Sequence, residues 1–344
     1  MVRYKRSFAS DNNAVVHPKI MEALQEANNC HVLSYGEDHY TESARERFRE
    51  VFGEDSEVFF VFNGTGANVT GLASMTMPYQ TIICTDYAHI HVDECGAAER
   101  FIGCRLLPLH SEDGKLRPEQ IMPALSAVGV EHHSQPGVVS VTQCTEVGTV
   151  YTAEELKKLA QFSHANNLLV HMDGARIANA AAYLGTSLKA ITADVGIDVL
   201  SFGGTKNGLM FGEAVVFFNR KLAQNYKYIR KQGTQLASKM RYIAVQFDVL
   251  LSSRLWLENA SKANAMAALL AREAEKIPGI TITQPVEANG VFVSMPQAAA
   301  ERLQQRCFFY PWDKEKSEYR WMTSFDMEEE DIMEFIEAVK AAME

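Results

Sequence analysis

Lys206 stands in the octet Ser201-Phe202-Gly203-Gly204-Thr205-Lys206-Asn207-Gly208, a bed of small residues behind the apolar run Ile197 to Phe202. Most lysines lie on solvated faces. Small neighbours and an apolar lead-in instead suit an amine held in a tight, partly dry pocket, where desolvation favours the neutral form that attacks carbonyls. Taken alone, the octet reads equally as a glycine-rich connection carrying a solvated lysine. Upstream, the run Leu168 to Met172 ends in Asp173-Gly174-Ala175-Arg176. An aspartate at the carboxyl end of a buried strand in an alternating sheet points into the ligand crevice, and a role as helix N-cap is compatible with that.

A third chemical junction is Asn63-Gly64-Thr65-Gly66-Ala67-Asn68, directly after the run Glu57 to Phe62. A glycine-rich turn between a buried strand and a helix beginning near Thr65 aims unpaired backbone N–H groups at one point, a binding place for phosphate. A tight helix start with no ligand is the simpler alternative. The dinucleotide pattern GxGxxG fails because its third glycine falls on Val69, and the Lys206 segment lacks the flanking residues of a P-loop. His89 and His91 complete no standard ligand spacing, so no metal is expected, and His132-His133 reads as a solvated loop.

These residues need strands and helices to position them. Thr81 to Thr85, Arg105 to Leu109, Val138 to Gln143, Leu168 to Met172 and Ile197 to Phe202 read as strands, with Glu213 to Asn219 pairing close behind. Helices are expected from Pro18, from a Thr41 cap to Gly53, over Val92 to Ile102, and from the capping box Thr152-Ala153-Glu154-Glu155 to Asn167. Repeated βα units over 57–219 predict an α/β fold with a mostly parallel, doubly wound sheet whose site lies at the strand ends. From Arg220 to Ile277 the pattern turns helical, including a long helix Arg254 to Lys276. The remainder is α+β: strands near Ile280–Gln284, Val291–Met295, Cys307–Tyr310 and Glu318–Phe325, a helix over Gln297–Gln305 and a last one from Met327.

Composition limits the classes. With 344 residues and 47% hydrophobic content the chain is long enough for two domains. A net charge of −10 leaves no basic footprint for nucleic acid or an anionic membrane. No window approaches the roughly 20 apolar residues of a membrane span. The N-terminus has no apolar signal region, and the six cysteines form no CxxC pair, which suits reduced thiols in a cytoplasmic protein.

Phosphate-binding glycines, a histidine, an aspartate after one strand and a lysine after the next is the order found in enzymes of pyridoxal 5′-phosphate (PLP). Phe62 to Asn68, Asp173 to Arg176, Tyr35-Gly36-Glu37-Asp38 and the Lys206 octet resemble the low-specificity L-threonine aldolases, of the aspartate-aminotransferase-like PLP fold type I. The resemblance spans nearly the whole chain. It implies a large PLP-binding domain with the N-terminal segment over 1–255, a small C-terminal α+β domain over 256–344, and a homo-oligomer, dimer or tetramer. It implies that Lys206 is the Schiff-base lysine, that Asp173 contacts the pyridine nitrogen, and that His89 stacks over the ring. Gly64, Thr65 and Gly66 would hold the phosphate, with Arg176 beside cofactor and substrate. Arg320 would bind the substrate carboxylate together with Ser10, and Arg241 would reach a neighbouring subunit's phosphate.

The implied activity is retro-aldol cleavage of L-threonine, L-allo-threonine and related L-β-hydroxy-α-amino acids to glycine and an aldehyde. Other PLP chemistry on an amino acid, β-elimination or racemisation, differs only in which bond at Cα is broken, and a non-catalytic PLP-binding protein is the remaining alternative. One departure concerns the base. Many relatives carry a histidine in an Asn-Thr-His run where this chain has Gln143-Cys144-Thr145-Glu146, which leaves His89, Glu94, His31 or a phosphate-held water as candidates.

Overall fold

The structure, a computed structural model, describes residues 6–344. Its larger sheet has seven strands: β1 Glu57–Val61, β2 Gln80–Thr85, β3 Arg105–Leu109, β4 Gln135–Thr142, β5 Leu169–Gly174, β6 Val199–Gly203 and β7 Glu213–Phe217, in the spatial order β1-β7-β6-β5-β4-β2-β3. The five strands β3, β2, β4, β5 and β6 are mutually parallel, and β7 is inserted antiparallel between β6 and β1. β1 therefore runs in the same direction as β2–β6, and their carboxyl ends open on one edge. β6 and β7 are buried throughout, as strands covered on both faces must be, so they read as apolar runs without alternation.

Local chemistry sets the helix starts. His17 Nδ1 accepts the N–H of Lys19 at 3.2 Å and Pro18 opens the helix Pro18–Ala27. In the helix His39–Phe52 the cap is Asp38 rather than Thr41: its carboxylate accepts the Thr41 N–H and hydroxyl, each at 2.9 Å, so the helix begins earlier than the threonine alone implies. The Thr152–Glu155 capping box opens Ala153–Ala165 as expected. The continuous helix expected over Val92 to Ile102 is broken into His89–Val92 and Ala97–Ile102. Cys95 and Gly96 are left-handed, with φ of 52° and 68°, which interrupts the helical ladder between the two pieces.

The smaller sheet is antiparallel, β8 Thr281–Ile282, β9 Gly290–Ser294, β10 Tyr310–Asp313 and β11 Glu318–Met322, ordered β10-β11-β9-β8. β10 starts later than expected, because pairing with β11 begins at Tyr310 opposite Arg320 while Phe309 is buried against Trp321 and Phe335. The helix Leu255–Ala274 joins two apolar cores: Leu255, Trp256 and Ala260 pack under the larger sheet, Met266, Leu270 and Ala274 under the smaller. The division expected between 255 and 256 falls in its first turn. Phe8 lies in the second core, stacked on Phe335 at 4.0 Å, and its carbonyl accepts the Met322 N–H at 2.8 Å. All six cysteines are unpaired, and among the described residues no helix is long and apolar enough to cross a membrane.

Candidate active site

The carboxyl ends of β1, β2, β5 and β6 bring the sequence-expected residues together. A cleft of about 230 Å³ is lined by Asn63, Gly64 and Thr65 after β1, His89 after β2, Asp173 in β5, and Ser201 and Lys206 in and after β6. A second cavity shares Gly64, His89, Asp173 and Lys206 and adds Asn68, Glu94, Thr142, Cys144, Glu146 and Arg176.

Lys206 sits in a short 3-10 turn, Thr205–Asn207, reached through Gly203. A Cβ at Gly203 would strike the backbone of Ala175 on β5's exit, so only glycine lets the two loops approach this closely. The positive charge of Arg176, together with burial, lowers the Lys206 ammonium below its ordinary value. Glu213, at the start of β7, accepts the Gly204 N–H at 2.6 Å, and burial pushes its carboxyl up to about 7.

Asp173 is fixed from two sides, Oδ1 accepting the Ala175 N–H at 2.9 Å and Oδ2 accepting from Asn68 Nδ2 at 2.8 Å. The same Asn68 amide donates to Glu94 Oε1 at 2.9 Å, and that oxygen lies 2.9 Å from His89 Nδ1. Asn68 thus ties aspartate and histidine into one network. The bond to Glu94 raises the His89 imidazole above its ordinary value against the effect of burial. His89 is also held through its main chain, whose N–H donates to Glu146 Oε1 at 2.8 Å.

At the helix Gly64–Ala73, Asn63 is the N-cap and its Oδ1 accepts the Gly66 N–H at 2.7 Å. The Gly66 amide is thereby committed, and the Gln235 side chain fills the space a Cβ would need there. Gly64 and Thr65 face the cleft, with open space beside Gly64.

The arginines separate into three environments. Arg176 forms a two-point pair with Asp11, Nε to Oδ2 at 2.6 Å and Nη2 to Oδ1 at 2.9 Å. Burial alone would raise Asp11, but Arg176 holds it down at about 2. Arg320, on β11, lies 5.1 Å from the Trp312 ring, and its Nε is buried without a partner. Burial, then the charge of Arg176, pulls Arg320 down to about 10. Arg241 lies apart from the cleft, donating to the carbonyls of Asn29 and Cys30 at 3.1 and 2.9 Å. Ser10 turns its hydroxyl to the Asn12 N–H at 3.2 Å. His31 is exposed and lines neither cavity.

Sequence reasoning passed over Asp11, Asn68, Glu213 and the role of Glu146. A carboxylate opening the otherwise apolar Glu213-Ala214-Val215-Val216-Phe217 was a usable signal, since a charge in a fully buried strand needs a reason. Asp11 had only a turn-like context, and its partner is 165 positions away.

The beta-eliminating lyase family pattern matches residues 7–298. The chain is 43% identical over 344 residues to the low specificity L-threonine aldolase of Pseudomonas sp. (strain NCIMB 10558), covering 100% of this chain and 99% of that one. It is 43% identical over 345 residues to the enzyme of the same description from Pseudomonas aeruginosa, with coverage of 100% and 99%. A solved structure of Leishmania major threonine aldolase matches with a TM-score of 0.93 at 30% identity, over 98% of this chain and 99% of that one. The chain belongs to the beta-eliminating lyases, a family of PLP enzymes, and within them to the low specificity L-threonine aldolases.

Proposed function

We propose that this enzyme holds PLP and cleaves L-threonine, L-allo-threonine and related L-β-hydroxy-α-amino acids to glycine and an aldehyde. The observation that carries the reading is the shared cleft of Lys206 and Asp173 beside the open N-terminus of the helix Gly64–Ala73. A lysine with a lowered pKa, a fixed carboxylate and free helix N–H groups match an aldehyde, a basic ring nitrogen and a phosphate. The orphaned Arg320 Nε fits the carboxylate of an amino-acid substrate. When bound, PLP supplies an electrophilic carbon for amines and a ring that withdraws the electron pair released at Cα.

On this reading the residues of the cleft divide the work. The N–H groups of Gly64 and Thr65, with the helix dipole, take the phosphate, and Gly66 serves by admitting Gln235. Asp173, oriented by Asn68 and the Ala175 N–H, would keep a proton on the ring nitrogen. His89, its imidazole pinned by Glu94, would cover the ring face. Lys206 would supply the amine that holds the cofactor's aldehyde, and Arg176 lowers its proton affinity from a position locked by Asp11. Arg320 clamps the substrate carboxylate, and its planar fork sets which bond at Cα is aligned for cleavage.

We also infer a homo-oligomer, at least a dimer, in which Arg241 serves the phosphate of a neighbouring subunit. Residues 1–255 and 256–344 form its large and small domains. The six unpaired thiols support a reducing, cytoplasmic location. The test is to incubate the PLP-reconstituted protein with L-threonine, L-allo-threonine, L-serine and L-cysteine and identify the products. Glycine plus acetaldehyde from the first two is expected. Pyruvate from serine or cysteine without aldol cleavage would replace this reading with β-elimination.

A further inference from the structure

We propose that Glu146 accepts the β-hydroxyl proton of the substrate as the Cα–Cβ bond breaks, an assignment that rests on the aldol-cleavage reading above. Glu146 lies in the loop that follows β4. Its Oε1 is fully used, accepting the His89 N–H and the Thr142 hydroxyl, each at 2.8 Å. Its Oε2 is buried, has no partner, and belongs to a residue lining the same cavity as His89 and Lys206. Buried polar oxygens are nearly always paired, so a bare one in a substrate cleft marks a place for a donor.

Glu94 also has a bare Oε2, and the difference between the two lies in their partners. Glu94 faces the His89 imidazole, whose proton affinity that contact raises. Both donors to Glu146 are neutral, so it is a buried carboxylate with no counter-ion of its own, and such a group has high proton affinity. Burial, with Asp173 adding to it, pushes the Glu146 carboxyl up to about 7. A base of that strength is half ionised near neutral pH and takes or returns a proton with little driving force in either direction. Protonation at Oε2 leaves both Oε1 hydrogen bonds intact, so the proton moves without disturbing His89.

The step balances. The hydroxyl proton passes to Oε2, the O–H electron pair becomes the second bond of the aldehyde carbonyl, and the Cα–Cβ pair stays on Cα. A solvent proton then reaches Cα by a route that does not use Glu146, which yields glycine, and Glu146 gives up its own proton to solvent and is again the carboxylate.

The experiment uses the holoenzyme and Glu146→Gln, whose amide oxygen can keep the Oε1 contacts while an NH2 replaces the bare oxygen. Cleavage of L-threonine should fall about 100-fold or more in kcat with little change in KM. Exchange of the glycine Cα hydrogen with solvent deuterium, which needs no β-hydroxyl, should stay within about threefold. In the wild type, activity should rise with pH through about 7, and an infrared carboxylic-acid band should vanish over the same interval. Both features should be missing in Glu146→Gln.

Other groups facing this cavity are Glu94 and His89 after β2, Asp173 and Arg176 in and after β5, Lys206 after β6, and Cys144 on the loop of Glu146 itself. Thr142→Val separates Glu146 from them, because losing that hydroxyl should move the limb and the infrared band to higher pH together. This second variant also keeps the test open if Glu146→Gln fails to fold. Undiminished cleavage by Glu146→Gln, an equal fall in cleavage and glycine exchange, or an unmoved limb in Thr142→Val would each overturn the assignment. A wild type that exchanges glycine but does not cleave threonine would instead overturn the aldol reading, and the assignment with it.

Discussion

Arg176 and Asp11 meet through two parallel hydrogen bonds, at 2.6 and 2.9 Å, inside the cleft wall, and this pair decides what each can do for the substrate. Arg176 spends its Nε and one Nη2 hydrogen on Asp11, whereas Arg320 has a buried Nε without a partner. On the proposed reading Arg320 clamps the substrate's carboxylate, and Arg176 acts on Lys206 through its field.

Removing Asp11 leaves a buried charge unpaired. Asp11→Ala should lower stability by about 3–5 kcal/mol in denaturant titrations at neutral pH. The pair also sets a pH dependence. Asp11's folded value of about 2 lies below its ordinary 3.8, so its contribution is fully present above pH 3.8 and is lost as the pH falls towards 2. The gap corresponds to roughly 2 kcal/mol. Wild-type stability should decline more steeply than that of Asp11→Ala across this acid interval, and parallel curves would disprove the coupling.

Lys206 should be the single residue to which borohydride fixes the cofactor, read by peptide mass mapping. Lys206→Ala should still take up PLP through the phosphate site and Asp173, while turnover falls by at least about a thousandfold, since the nucleophile itself is gone. Reduction onto another lysine would remove Lys206 from the mechanism.

Asp173→Asn should keep the fold and some PLP, because Asn68 and the Ala175 N–H still order the loop. The carboxylate charge proposed to face the ring nitrogen is lost, and activity should drop by about two or more orders of magnitude. Asn68→Ala should reproduce part of that loss and also lower the His89 pKa, because Glu94 loses its second anchor. NMR titration of the histidine reads this directly. An unchanged His89 would mean that the Asn68 bridge carries no coupling.

Arg320→Lys should raise KM for L-threonine by about tenfold or more with bound PLP unchanged, since a lysine cannot supply the bidentate fork. Arg241→Ala should weaken PLP retention and leave KM of the loaded sites alone. Cofactor release by Arg320→Lys, or a fully active monomer in light scattering, would refute this division of labour.

The strands and the Lys206 and Asp173 positions were legible because each is announced locally, by an apolar run that ends in a turn. Capping residues announced helix starts equally well, with Asp38 preceding Thr41 as a better acceptor. The break after Val92 was not legible, because Cys95 gives no sign of a left-handed backbone. Asp11–Arg176 and Asn68–Asp173 escaped for another reason. They join residues 165 and 105 positions apart, and periodicity carries no record of which distant carboxylate an arginine meets.

The seating of Phe8 against Phe335 has a consequence for biogenesis. A nascent chain emerges from the ribosome from its amino terminus, and domains usually fold in that order. Here the segment that carries Asp11 is anchored by Met322 and Phe335, residues made long after it. The large sheet can form before those anchors emerge, but Arg176 meets its anchored carboxylate only after Met322 and Phe335 have been made. A ribosome-stalled chain lacking the terminal helix Glu329–Met343 should already protect the sheet from protease while leaving residues 6–13 open to cleavage.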